Sequence, residues 1–151
     1  MRLFVICSLI LTALVIIGCR HKNVAANAPP ASINLTEKKP LRVGMVTGIK
    51  PEKIAYYKEL HANAWKGVLK KIEECNIRNF SIYLKKIDDK YYLFSYYDYV
   101  GDNYEQDMKK IAADTITQRW WRETDPCQLP LPEAAAAGKI WTPMEEVFHA
   151  E

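Results

Sequence analysis

The chain has 151 residues and a formal net charge of +3. That length suits a single small domain, and so mild a charge with its basic and acidic residues interspersed argues against a nucleic-acid partner. The four cysteines and three histidines lack the ligand spacing of a zinc site, so no metal is expected.

Arg2 forms a short positive n-region, and Leu3 to Ile17 is an apolar run interrupted only by Cys7, Ser8 and Thr12. The run reads as a secretory signal and is too short for a convincing membrane span. Its ending, Ile16-Ile17-Gly18-Cys19, resembles the bacterial lipobox, in which a small residue precedes a cysteine. The resemblance implies a signal peptide over residues 1–18, cleaved before Cys19, and lipidation of the Cys19 thiol and its new amino group. Multiple acyl chains hold a protein on a membrane stably where one does not. Residues 19–40 carry Ala, Asn, Pro, Ser and Lys without a hydrophobic period and read as a flexible tether. The expected location is extracytoplasmic, lipid-anchored to a bacterial membrane. Arg20 rather than an Asp follows Cys19, which favours the outer membrane if the source is Gram-negative. Loss of residues 1–18 would remove Arg2 alone and lower the charge to +2.

Residues 41–151 form the expected domain. Leu41 to Thr47 is a short β-rich run closed by Gly48, and Pro51 suits the first turn of a helix. Ile54, Tyr57, His61, Ala64, Trp65, Val68 and Ile72 recur in steps of three and four, which predicts one long amphipathic helix over 52–75. Arg78 to Lys86 alternates, with Phe80, Ile82 and Leu84 on one face and Asn79, Ser81 and Tyr83 on the other. Asp88-Asp89-Lys90 is a turn, and Tyr91 to Tyr99 is the partner strand of a hairpin. Asp102 to Ala112 and Thr115 to Arg122 read as helices. Residues 126–142, with Pro126, Pro130, Pro132 and an Ala run, read as a loop, and Met144 to His149 as a last strand. The order β-α-β-β-α-β is the ferredoxin-like α+β arrangement, an antiparallel sheet with helices on one face. The other sheet face then needs a partner or a ligand, which favours a homodimer. Cys75 and Cys127 remain in the domain, where an oxidising compartment permits a disulfide. Their spacing does not show whether their Cα atoms lie close enough, so a bridge and two separate thiols both fit.

Trp120 and Trp121 are adjacent. Side chains of neighbouring residues diverge by about 100° on a helix and point to opposite sides of a strand. One large ring is then left at a surface or in a pocket, where it can stack on the apolar face of a sugar and bond a hydroxyl through its N–H. The plainer reading packs one ring in the core and caps a loop with the other.

The chain resembles the L-rhamnose mutarotase family. The resemblance is carried by Tyr57-x-x-x-His61, by Asn79-Phe80-Ser81-Ile82-Tyr83-Leu84, by Gln118-Arg119-Trp120-Trp121 and by Glu146-Val147-Phe148. It implies a ferredoxin-like domain that dimerises through its sheets and interconverts the α and β anomers of a free monosaccharide, L-rhamnose or a related deoxy sugar. By position, His61 would be the proton donor, and Tyr57, Trp120 and Trp121 substrate contacts. Phe80 stands where the family commonly has a substrate-contacting Tyr. The family's His-Asn-Pro is here His61-Ala62-Asn63.

The residues fit that chemistry on their own terms. Opening a pyranose hemiacetal needs a proton on the ring oxygen and the loss of one from the anomeric hydroxyl, so no cofactor is required. A histidine can do either near neutral pH. Tyr57, four residues before His61, shares its helix face, and its phenol could orient the imidazole or bind a sugar hydroxyl. Three other readings use the same features: a non-catalytic sugar-binding lipoprotein, an oxidoreductase on a ferredoxin-like barrel, and a structural dimer with its Trp pair at the interface.

Overall fold

The structure, a computed structural model, describes residues 38–150. The expected signal, the lipidated Cys19 and most of the tether lie outside the described residues. Among those described, no helix is long and apolar enough to cross a membrane.

Strand β1 spans Leu41–Ile49 and runs through Gly48 rather than stopping there. A Cβ at Gly48 would sit 2.7 Å from the Leu129 carbonyl oxygen, so the glycine admits a close neighbouring strand instead of ending its own. Pro51 opens a single 3-10 turn, Pro51–Lys53, that leads into a helix.

The long helix predicted over 52–75 is two helices, α1 (Ile54–Ala62) and α2 (Lys66–Glu74). The break has a local cause. The Asn63 side-chain amide donates to the Glu59 carbonyl, 3.2 Å away, the same oxygen that accepts the Asn63 backbone N–H. Asn competes for backbone groups in this way and is a poor helix former. A proline would end the helix there by sterics; Asn63 ends it by hydrogen bonding.

Strands β2 (Ile77–Ile87) and β3 (Lys90–Tyr99) form the expected hairpin, with Asp88 in the left-handed region at φ 51°. Helix α3 (Tyr104–Ala113) is capped by Asn103, whose side chain accepts the Gln106 N–H at 3.0 Å. Helix α4 (Thr115–Thr124) is capped by Asp114, which accepts from the Thr117 N–H at 2.8 Å. Both caps satisfy amides that a helix start leaves unpaired.

The predicted loop over 126–142 carries structure of its own: a 3-10 turn at Asp125–Cys127, strand β4 (Gln128–Leu129) and helix α5 (Pro132–Ala136). Helix α5 follows ordinary rules. Pro132 stands in its first turn, the Ala run propagates it, and Gly138 follows at φ 65°. The last strand, β5, is Thr142–Met144 rather than Met144–His149. Pro143 lacks a donor, and beyond Met144 the chain is held by a side chain, with Arg42 Nε donating to Glu146 Oε1 at 2.8 Å. Val147 and Phe148 stand largely exposed.

The sheet is antiparallel in the order β2-β3-β1, with β4 and β5 each pairing the remaining edge of β1. Its helices lie on one face, in the ferredoxin-like α+β arrangement. Two buried clusters underlie that face. One joins Ile49, Tyr57, Leu93 and Cys127, and the other Cys75, Ile77, Tyr97 and Ile111. Cys75 and Cys127 are thus free thiols in separate clusters. On the opposite face Tyr83 pairs across from Phe94, and Phe94 from Val46. Cross-strand partners share a face, so these three form an apolar row with Tyr83 mostly exposed.

Candidate active site

A cavity of about 470 Å³ lies between the helices and the sheet and borders both buried clusters. That size is within the range of small-molecule sites, roughly 300–1,000 Å³. Tyr57, Lys58 and His61 of α1, Val68 and Leu69 of α2, Trp120 of α4, and Phe80 and Ile82 of β2 are among its walls.

The four-residue spacing on α1 brings Tyr57 and His61 together. Their rings stack with centroids 4.2 Å apart. His61 Nδ1 lies 2.9 Å from the Tyr57 carbonyl oxygen. A carbonyl only accepts, so Nδ1 carries the hydrogen and Nε2 of the neutral ring keeps its lone pair. Burial lowers the His61 pKa below its usual 6.5, and the hydrogen bond to the Tyr57 backbone opposes this only in part. The site therefore holds a neutral imidazole base at neutral pH, with one nitrogen tied to the helix and the other left for a ligand.

The Tyr57 phenol does not orient the imidazole. Gln128 Nε2 donates to its oxygen at 3.4 Å, and burial raises its pKa well above the usual 10. It stays protonated throughout the physiological range. The orienting group for His61 is the Tyr57 backbone, together with the flat face of its ring.

Helix α4 separates the tryptophan pair. Trp120 is 7% exposed and turns an edge to the His61 ring at 5.2 Å and to Trp65 at 5.3 Å. Trp121 is 36% exposed and stands outside the cavity wall. Of the two rings, Trp120 meets the site.

Phe80 reaches the cavity because of a β-bulge. Arg78 pairs with Asp98 but Ser81 with Tyr96, so Asn79 and Phe80 together face Tyr97, with Asn79 in the left-handed region at φ 53°. The extra residue re-aims the strand. Without it, strict alternation would put Phe80 on the face opposite buried Ile77. With it, Phe80 turns inward, edge-on to Tyr97 at 5.6 Å and 45% exposed at the cavity's side. Asn79 instead donates to Asp98 on the outer face.

The structure thus gathers Tyr57, His61, Phe80 and Trp120 at one cavity and leaves Trp121 outside it. Two contributors escaped the sequence reading. Trp65, placed there on a long helix face, stands in the break between α1 and α2 and buttresses Trp120. Gln128 lay in a Pro-rich stretch read as loop, where no periodicity marks a buried amide. The described residues contain no group of three His, Cys, Asp or Glu that could hold a metal ion.

Comparisons with known proteins bear on the lineage and the fold of the chain. The profile of the L-rhamnose mutarotase family matches residues 42–150. A protein of Oceanobacillus iheyensis named L-rhamnose mutarotase is 26% identical over 110 residues, covering 73% of this chain and 98% of its own. The crystal structure of an L-rhamnose mutarotase from Formosa agariphila superposes with a TM-score of 0.56 at 22% identity, covering 74% of this chain and 99% of the other. That likeness bears on the fold, and the profile match over most of the chain bears on the lineage: the chain belongs to the L-rhamnose mutarotase family.

Proposed function

We propose that this mutarotase interconverts the α and β anomers of L-rhamnose or a related deoxy sugar, with His61 as the proton carrier. Anomer interconversion of a sugar goes with the family; the sugar and the residue are our reading. The observation that carries it is the His61 Nδ1 bond to the Tyr57 carbonyl, which leaves Nε2 as a base at a cavity of monosaccharide scale. In the forward step, Nε2 takes the proton of the anomeric hydroxyl, the C1–O5 bond breaks, and C1=O forms. The imidazolium then gives the proton to O5. Rotation about C1–C2 and the reverse steps close the other anomer. Trp120 and the Tyr57 ring supply apolar faces for the sugar ring.

Saturation-transfer NMR over a panel of reducing sugars tests the substrate. Anomer exchange is expected to be fastest for L-rhamnose or another deoxy sugar; no acceleration for any sugar would sink the reading. Phe80 offers no hydroxyl where the family commonly has one. Phe80→Tyr is therefore expected to sharpen the ranking of sugars differing at one hydroxyl. The hydrogen bond gained is worth about 0.5–1.5 kcal/mol, and an unchanged ranking would remove Phe80 from the specificity contacts.

We further propose that the protein works outside the cytoplasm, held on a bacterial membrane through lipid on Cys19, and as a homodimer. The lipobox-like Gly18-Cys19 supports the anchor. Cys19→Ala is expected to release the protein from the membrane fraction, and fractionation like the parent would refute the anchor. The apolar row of Val46, Phe94 and Tyr83 on the open sheet face supports the dimer. Sedimentation at micromolar concentration is expected to give twice the monomer mass, and a monomer would count against sheet pairing.

A further inference from the structure

Gln128 is not part of the cavity wall, yet it holds a side chain that is. It sits on β4, paired with Ile49 of β1, and is 5% exposed. Its Nε2 donates to the Tyr57 phenol oxygen at 3.4 Å, whereas its Oε1 meets no donor among the described residues. A buried amide with half its hydrogen bonding unmet is costly, and an apolar side chain of the same shape would avoid that cost. The placement is accounted for by what the amide holds. Tyr57 is the residue on which His61 rests twice, by ring stacking at 4.2 Å and by the bond from Nδ1 to its carbonyl. Among the described residues the phenol oxygen has one hydrogen-bond partner, Gln128, and that partner is a donor. The phenol's own hydrogen is therefore not taken up by Gln128.

We propose that Gln128 is a positioning residue for the proton transfer: by donating to the Tyr57 phenol it fixes the ring against which His61 stacks and leaves the phenol hydrogen for a sugar hydroxyl. This rests on the reading of His61 as proton carrier. Gln128 itself touches neither substrate nor the reacting atoms. It acts from the C-terminal half of the chain on a pair set by α1.

The test compares Gln128→Met, Tyr57→Phe and the double variant in the full-length protein. Two readouts are used: kcat and KM for anomer exchange, and titration of the His61 ring by NMR. Gln128→Met is expected to lower kcat by about three- to tenfold, the factor carried by one neutral hydrogen bond. KM should change less. The double variant is expected to be no slower than the slower single variant, because both remove one interaction. The His61 titration is expected to move up toward its ordinary value in Gln128→Met as the ring loosens toward solvent. Tyr57→Phe, which keeps Gln128 and removes only the oxygen it holds, should move that titration the same way, and serves alone if Met at position 128 prevents folding. Parental kcat and titration in both single variants would overturn the proposal, as would effects that multiply in the double variant. If the parent exchanges no anomers, the mutarotase reading fails, and the His61 titration still decides whether Gln128 positions the imidazole.

Discussion

Trp120→Ala is expected to destabilise the domain by about 3–5 kcal/mol, the usual cost of deleting a buried Trp or Phe side chain. Trp120 is 7% exposed, and its edge contacts tie α4 to His61 on α1 and to Trp65 in the break between the helices. Truncation removes apolar burial from all three at once. It also opens a void into the existing cavity, where water can enter, so the lower half of that range is expected. Trp121→Ala, at a ring already 36% exposed, should cost well under half as much. Urea denaturation of both variants measures this as a shift in midpoint at constant slope. Equal costs, or a larger cost at Trp121, would show that the pair divides its roles differently.

The fold was legible where one rule acted alone. Alternation marked the hairpin, and the helices read over 102–112 and 115–122 stand as α3 and α4, whose caps, Asn103 and Asp114, are residues that favour such positions. The reading failed where a single side chain overrides a pattern. The apolar steps run on through Asn63, but the Asn63 amide takes the Glu59 carbonyl and splits the helix. Strand β5 covers only Thr142–Met144, and past it Glu146 meets Arg42 through its side chain, which no alternation in the sequence registers. Nor does alternation register the bulge at Asn79. It placed Phe80 with Ile82 and Leu84 correctly, yet gave no hint that only an extra residue lets Phe80 share a face with Ile77. At the site, spacing put Tyr57 and His61 on one helix face and the divergence rule set Trp120 and Trp121 apart, but it was the family resemblance that singled out all four. Which of the two tryptophans turns inward depends on how α4 packs, and Gln128 depends on a long-range contact with Tyr57; neither leaves a local trace.

The buried state of His61 also sets a pH dependence. Burial lowers its pKa below 6.5 in the folded protein, whereas the unfolded chain retains about 6.5. Between these values the unfolded state binds more protons, so stability rises with pH there. The contribution is complete above about pH 6.5 and is lost as pH falls through the folded value. The same ionisation should govern kcat/KM, which reports groups of the free enzyme. Activity is expected to fall on the acid side of a midpoint below 6.5, as the base becomes protonated.

His61→Asn removes the base while keeping a side chain of similar reach. Positioned acid–base catalysis contributes about 10²–10⁴-fold, so anomer exchange of L-rhamnose, measured by saturation-transfer NMR, is expected to drop by that factor. The acid limb of the parent's pH profile should disappear with it, and the circular dichroism spectrum should stay parental. Exchange by His61→Asn at the parental rate, with the parental pH profile, would contradict the assignment of His61 as proton carrier.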